Sequence, residues 1–276
     1  MIHIPSDSCA GRTGAGNEPA RSAGRDGGDA VDLLSPTLLV VFAAWFLGGF
    51  VNGIAGIGAA MVAMPIVSCV MDIHLAILSS CIGGTAVGFF VAVMYRRHCI
   101  RRVIGIMALG CIPGAAVGTL ILKVTPAHWL QLILGSILLL YIGWQCMDKR
   151  PHPFRISLPG AFLGGFGSGL FNTAVSFGGP PIAIYTTLSG MDKDMARSTI
   201  SVFALVMSAI PLGVQASAGM YTQEVLSAAL FALPGAFAGL FVSIPFARRI
   251  REATFRRALF LLIAAAGVIL IARAIH

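Results

Sequence analysis

Apolar residues run along this chain in stretches of roughly 20 or more, the length of a membrane-crossing helix, with short polar segments between them. Candidate spans fall at 37–71, 75–95, 103–122 and 128–147 in the first half, and at 157–190, 198–217, 225–247 and 258–275 in the second. Two of these, 37–71 and 157–190, are too long for one crossing. Roughly 34 residues of helix would reach about 50 Å, against about 30 Å of hydrocarbon. Both carry internal Gly and Pro, so each is predicted to break into two shorter helices folded as a hairpin. The breaks are expected near 56–60 and 172–179.

The two long stretches match each other. LGGFVNGIAGIGAAMVAMPIV (47–67) and LGGFGSGLFNTAVSFGGPPIAI (163–184) align at a shift of 116, which sets Gly48, Gly49, Phe50, Gly53, Pro65 and Ile66 on Gly164, Gly165, Phe166, Gly169, Pro181 and Ile182. The third span of each half carries a second matched signature, PGAAVG at 113–118 and PGAFAG at 234–239. Two signatures in the same order indicate an internal repeat. A broken apolar segment in corresponding positions of two halves points to a transporter's binding site, because freed backbone groups cannot face lipid.

Loop charge sets the topology. Loop 96–102 holds Arg96, Arg97, Arg101 and Arg102; linker 148–156 holds Lys149, Arg150 and Arg155; loop 248–257 holds Arg248, Arg249, Arg251, Arg256 and Arg257. Loop 218–224 holds no Lys or Arg and loop 123–127 only Lys123. The positive-inside rule places the rich loops in the cytoplasm and the poor ones outside. Equivalent loops of the two halves then lie on opposite faces. The expected fold is an all-α polytopic membrane protein of two inverted-topology repeats, each three spans plus a Gly/Pro-broken helical hairpin. The expected organisation is a disordered polar tail at 1–35, repeats at 36–147 and 157–276, and a basic cytoplasmic linker at 148–156. The tail and the C-terminus are expected outside.

Composition agrees. Of 276 residues, 57% are hydrophobic and 11% charged, against about a quarter charged in soluble domains; mean hydropathy is +0.88. The net charge of +8 sits in short loops rather than on a basic face, so no nucleic-acid partner is implied. Residues 1–35 lack an apolar core of the kind signal peptides have. The six cysteines, Cys9, Cys69, Cys81, Cys99, Cys111 and Cys146, form no CxxC pair and read as small apolar packing residues. No cofactor is implied.

Candidate chemistry lies in the broken segments. A helix start offers free N–H groups and a positive dipole end to an anion, and proline suits its first turn. The run Gly178, Gly179, Pro180, Pro181 fits such a start, with Asn172, Thr173 and Ser176 just before it. In the first copy, Asn52 is accompanied by Gly56, Gly58 and Pro65. The competing reading of the glycines is close helix packing, and it is the preferred one for Gly48, Gly49, Gly164 and Gly165. Outside the tail, the acids Asp72, Asp148, Asp192, Asp194, Glu224 and Glu252 fall in loops or span ends. That disfavours a proton relay or cation permease. His74, His98, His128 and His152 also sit at span ends, with no metal-ligand spacing. Ser168 has no partner base in sequence reach, which argues against an intramembrane protease. The arginine loops read as topology determinants; binding of anionic lipid or steering of anions are alternatives.

GIAGIGAAMVAMP, SFGGPP, the two PGA signatures and the repeat layout together resemble the TauE/SafE family of membrane anion permeases over 38–275. Two departures stand out: the first motif's usual run of three glycines is thinned to Gly58, Ala59, Ala60, and Asn172–Thr173 stand where a glycine-rich turn is common. The resemblance implies a multi-pass permease of the inner (plasma) membrane that exports small anions, sulfite or organosulfonates, with the bilayer and the anion as its partners. The expected site comprises Asn52, Gly56, Gly58, Pro65, Asn172, Thr173, Ser176, Gly178, Gly179, Pro180 and Pro181, bare of Lys and Arg. A permease for another solute such as a carboxylate, and a non-transporting membrane scaffold, remain alternatives. A polar central cavity would separate transport from scaffold.

Overall fold

The structure is a computed structural model. It describes residues 36–55, 59–95, 99–147 and 157–246, with 261, 264, 265, 267–272 and 274 beyond them. The tail at 1–35, Gly56 and Gly58, the linker 148–156, Arg96, Arg97 and the arginines of 248–257 lie outside the described residues. The helices are α1 (Pro36–Ala55), α2 (Ala59–Val67), α3 (Ile73–Tyr95), α4 (Arg101–Val124), α5 (Ala127–Met147), α6 (Leu158–Val175), α7 (Gly179–Leu188), α8 (Lys193–Ser217) and α9 (Gln223–Phe246).

Both long stretches are broken. The first divides into α1 and α2, the second into α6 and α7, with the second break at 176–178. Freed from one another, α6 and α7 form a hairpin: Pro181 packs on Gly167 and Tyr185 on Gly164. Sequence number rises along one helix as it falls along the other, so α7 runs back along α6. In the first stretch, Ala59 and Ala63 of α2 pack on Gly48 of α1.

Among the described residues, four helices, α3, α4, α8 and α9, are long and apolar enough to cross a membrane, while α1 and α5 carry shorter apolar runs, 38–54 and 127–143. The three-span count for the second half rests on 258–275, of which 258–260, 262, 263, 266, 273 and 275 lie outside the described residues. Large apolar side chains face outward. Phe89, Leu109, Leu120, Leu140, Leu230 and Phe241 are each more than half exposed, a surface that suits lipid rather than water.

Glycines set the helix pairing. Gly110, Gly114 and Gly118 of α4 lie against the backbone carbonyls of Phe162, Phe166 and Leu170 of α6, and Gly165 and Gly169 of α6 against those of Met107 and Cys111. Gly235 and Gly239 of α9 lie likewise against the carbonyls of Phe42 and Phe46 of α1, and Gly49 against that of Ala236. In both pairs the numbers rise together, so α4 is parallel to α6 and α9 to α1. Between the pairs, α3 and α8 pack antiparallel: Gly84 meets Ser208, Gly88 meets Leu205, and Tyr95 meets Arg197. The packing reading of Gly48, Gly49, Gly164 and Gly165 agrees with these contacts.

Any side chain at the α4–α6 seam must push two backbones apart. Gly114→Val is expected to destabilise by several kcal/mol, above the roughly 1–3 kcal/mol of ordinary overpacking, because the obstacle is the Phe166 carbonyl. Gly105→Ala, with open space around the glycine, is expected to be neutral or to stabilise by up to about 1 kcal/mol. Thermal unfolding of the purified variants in one detergent checks both.

Candidate functional site

The break between α6 and α7 is built by local chemistry. Ser176 ends α6 at φ 55°, ψ 30°, a left-handed conformation that costs a non-glycine residue about 1–2 kcal/mol. Its backbone N–H closes on Asn172 O (2.9 Å), and Phe177 N–H on Phe171 O (3.2 Å). Its hydroxyl contacts Ser80 Oγ of α3, and Ser80 Oγ also reaches Ile77 O (2.7 Å). At the far side of the break, α7 opens with Pro180 and Pro181 in its first turn. The first N–H groups of a helix have no intrahelical partner, and proline has none to offer. The donors left at this helix start are therefore those of Gly178 and Gly179.

These two glycines open on a cavity of ≈ 80 Å³ among α1, α2, α3, α7 and α8. A water needs about 10–15 Å³ by the same measure, so the space holds several waters or one small polyatomic ion. It is lined by Asn52 and Trp45 of α1, Met61 of α2, Ser80, Gly84 and Gly88 of α3, Asn172, Ser176, Gly178, Gly179, and Met207 and Ser208 of α8. No titratable acid, Lys, Arg or His lines it among the described residues. The lining mixes polar groups (Asn52, Asn172, Ser80, Ser208 and the α7 start) with apolar side chains (Trp45, Met61, Met207).

The cavity thus gathers Asn52, Asn172, Ser176, Gly178 and Gly179 from motifs half the chain apart. Other expected site residues lie outside its lining. Thr173 is fully buried and its Oγ1 donates to Gly169 O (2.7 Å). Pro65 is buried within α2, where its carbonyl accepts from Ser68 Oγ (3.1 Å). Pro180 is buried, and Pro181 packs on Gly167. Gly56 and Gly58 lie outside the described residues.

Asn172 has a structural task that the sequence reading did not assign. Its Nδ2 donates to Met207 O at 2.8 Å, fully inside the protein. In a regular helix, Met207 O would accept from residue 211, but that residue is Pro211, inside α8. Asn172 supplies the missing donor. One N–H of its amide is spent there, and an amide carries two.

Two polar clusters flank the cavity at opposite ends of α8. Tyr221 donates to Gln215 Oε1 (2.8 Å), and burial pushes its phenol above the usual tyrosine range, so it stays a neutral donor. At the other end, Arg197 Nη2 donates to Ile54 O (3.0 Å) and Tyr95 Oη (2.8 Å). The sequence reading placed no Lys or Arg inside the bundle. That is corrected here: α8 starts at Lys193, five residues before the expected 198, so Arg197 sits on the helix and is mostly buried. Ser80, Ser208, Trp45, Met61 and Met207 were also missed. The adjacent Gly83–Gly84 in an apolar span was the one signal for that part of the lining.

The family model for the sulfite exporter TauE/SafE matches residues 41–270. The match spans most of the chain, and the chain belongs to that family. It is a membrane transport family, which the apolar helices fit. No curated protein and no solved structure gives a match.

The pairing of Asn172 with Pro211 makes a two-step prediction. Asn172→Leu leaves the buried Met207 carbonyl without a donor and should destabilise by about 1–3 kcal/mol. Pro211→Ala restores the helical N–H, so adding it to Asn172→Leu should recover much of the loss. A thermal-unfolding double-mutant cycle measures the coupling, and additive effects would refute the pairing.

Proposed function

We propose that this chain exports sulfite or organosulfonates across the inner (plasma) membrane by alternating access, binding the anion in the cavity between its two broken segments. The carrying observation is the lining: neutral donors from both motifs converge on one cavity. An anion there would cost several kcal/mol unless fixed dipoles replaced its water. The start of α7 supplies about half a positive charge without burying a full cation, and Asn52, Asn172 and Ser208 add side-chain hydrogen bonds. A scaffold that used its glycines only for packing would have a filled core here, so the cavity weighs against it. The apolar side chains of Trp45, Met61 and Met207 suit an anion with a short organic tail; a carboxylate of similar size is the second reading.

The repeats 36–147 and 157–276 are read as inverted halves joined by the cytoplasmic linker. The corresponding second spans, α3 and α8, pack antiparallel against each other. Two equivalent helices so related have their twofold axis across the helices, hence in the membrane plane. Exchanging the halves also turns the parallel pair α1–α9 into α6–α4. The glycine seams differ in register, however. Gly239 meets Phe46, whereas its counterpart Gly118 meets Leu170, which matches Ile54 at the shift of 116. Eight residues of helix are about 12 Å. The two halves therefore hold the equivalent seam in two registers, each set by its own glycines.

Flux of sulfite from proteoliposomes tests the site. Asn52→Leu and Gly179→Val should each lower it more than about tenfold, as loss of a hydrogen bond or of space for the ion would. Folded yield should hold, because a Cβ at Gly179 meets only the flexible tip of Met61. Normal flux in both variants places the site elsewhere, and stronger inhibition by acetate than by methanesulfonate selects the carboxylate reading. Topology has its own check. In a cysteine-free background, single cysteines at Gly219 and Arg249 should label from opposite faces, Arg249 from the cytoplasm. Labelling from one face refutes the inversion.

A further inference from the structure

Arg197 is the one described Lys or Arg that reaches into the packed bundle with hydrogen bonds to other helices, and its surroundings are those of a cation awaiting an anion. Both of its bonds go from Nη2 to neutral acceptors, the Ile54 carbonyl and the Tyr95 phenol. Its Cζ lies 4.5 Å from the centroid of the Tyr95 ring. Its Nε is buried and has no acceptor. Among the described residues the ion pair is His74 with Asp72; the nearby carboxylates Asp192 and Asp194 are exposed and do not pair with Arg197. A guanidinium held only by neutral oxygens, with a buried N–H left over, lacks the counter-charge that such groups normally have.

Its place in the fold is as informative. Arg197, Tyr95 and Ile54 belong to α8, α3 and α1, three of the helices that also wall the cavity. From Arg197 to Ala204, and from Tyr95 to Gly88, is seven residues, about 10 Å along each helix; Ala204 and Gly88 both line the cavity. Ser201, fully buried with an unpartnered hydroxyl, lies one turn along α8 between them. Ile100 N–H reaches Thr199 Oγ1 (3.5 Å), so Arg197 opens toward the face that carries the exposed Arg101 and Arg102.

We propose that Arg197 is an anion-docking site at the mouth of the cavity on the Arg101/Arg102 face. It would take a small oxyanion on its Nε–Nη2 edge before the ion passes to the neutral donors within. This rests on the permease reading above. The Nε–Nη2 edge is the planar fork that matches two oxygens of an oxyanion. An oxyanion brings a full opposite charge that neither neutral acceptor offers, so an arriving anion displaces the phenol or the carbonyl. The displaced groups return when the anion moves inward, and the guanidinium is again held away from the path.

The test is the initial rate of sulfite flux into inside-out vesicles, against sulfite concentration and ionic strength. Arg197→Gln should raise the half-saturating concentration about tenfold or more, the loss expected for a charge-assisted contact, and flatten the salt dependence, with a smaller change in maximal rate. Arg197→Lys keeps the charge without the fork and should fall between. Tyr95→Phe removes a competing acceptor and should lower the half-saturating concentration. A purely structural latch gives another pattern: Arg197→Gln and Tyr95→Phe both reduce folded protein and leave half-saturation unchanged, which overturns the proposal. If Arg197→Gln does not accumulate, an unchanged half-saturation in Arg197→Lys overturns it equally. Unchanged half-saturation in the Arg197 variants, with flux abolished by Asn52→Leu, sinks the docking site and leaves the cavity standing. No saturable sulfite flux by the unmodified protein overturns both readings.

Discussion

Backbone N–H and C=O groups inside a lipid-embedded bundle must find partners within the protein, since hydrocarbon offers none. This chain breaks its helices in the middle and so creates several such groups at once. The responses converge on one place. Ser176 takes a left-handed turn and closes the end of α6. Ser80 meets its hydroxyl from α3. Asn172 reaches across to the carbonyl that Pro211 leaves bare. The prolines at 180 and 181 remove two donors that would otherwise need partners. What remains are the N–H groups of Gly178 and Gly179, two residues that line the cavity. Its location follows from where the breaks leave donors that no side chain covers.

Glycine seams make that arrangement possible. With α4 against α6 and α9 against α1, carbonyl oxygens of one helix lie where Cβ atoms of the other would be. Such closeness adds dispersion contacts along whole helices, the main attraction between helices where lipid tails are as apolar as side chains. It also fixes the register, because a shift along the seam would bring Cβ atoms onto those carbonyls.

The broken segments were legible because length, Gly and Pro act locally. A stretch too long for the bilayer and punctuated by helix breakers has few alternatives, and the observed break at 176–178 falls inside the expected window. The small-residue packing was legible for a similar reason: spacing of four along a helix is visible in one dimension. Three other features were not. Asn172 pairs with a carbonyl exposed by a proline 39 residues later, and only the fold brings them together. Ser80 and Ser208 look like ordinary small residues in apolar helices until the cavity gives them something to face. Arg197 was lost to a boundary drawn from hydropathy. Its own charge, with Lys193 and Asp194, lowered the local average and pushed the expected helix start past it. Thr173 erred in the other direction, since a hydroxyl beside a break looks available but can return to the carbonyl one turn back, as Thr173 does to Gly169.

Placing the charge at the mouth rather than in the centre has a physical logic. Two opposite unit charges 4 Å apart attract by about 4 kcal/mol at an effective dielectric of 20 and more as water is excluded. A lysine or arginine facing the central cavity would therefore hold an anion in its deepest well at the point from which it must leave on either side. Partial charges on N–H groups and amides lower the barrier without making that well. Near the surface, water and salt weaken the attraction, so a guanidinium there can gather anions and still release them. Holding Arg197 on a carbonyl and a phenol extends the same balance, since the anion gains only the difference between charged and neutral acceptors. In the proposed permease, the neutral centre and the partly buried Arg197 at one end are then parts of one gradient, steep enough to draw an anion in and shallow enough to let it through.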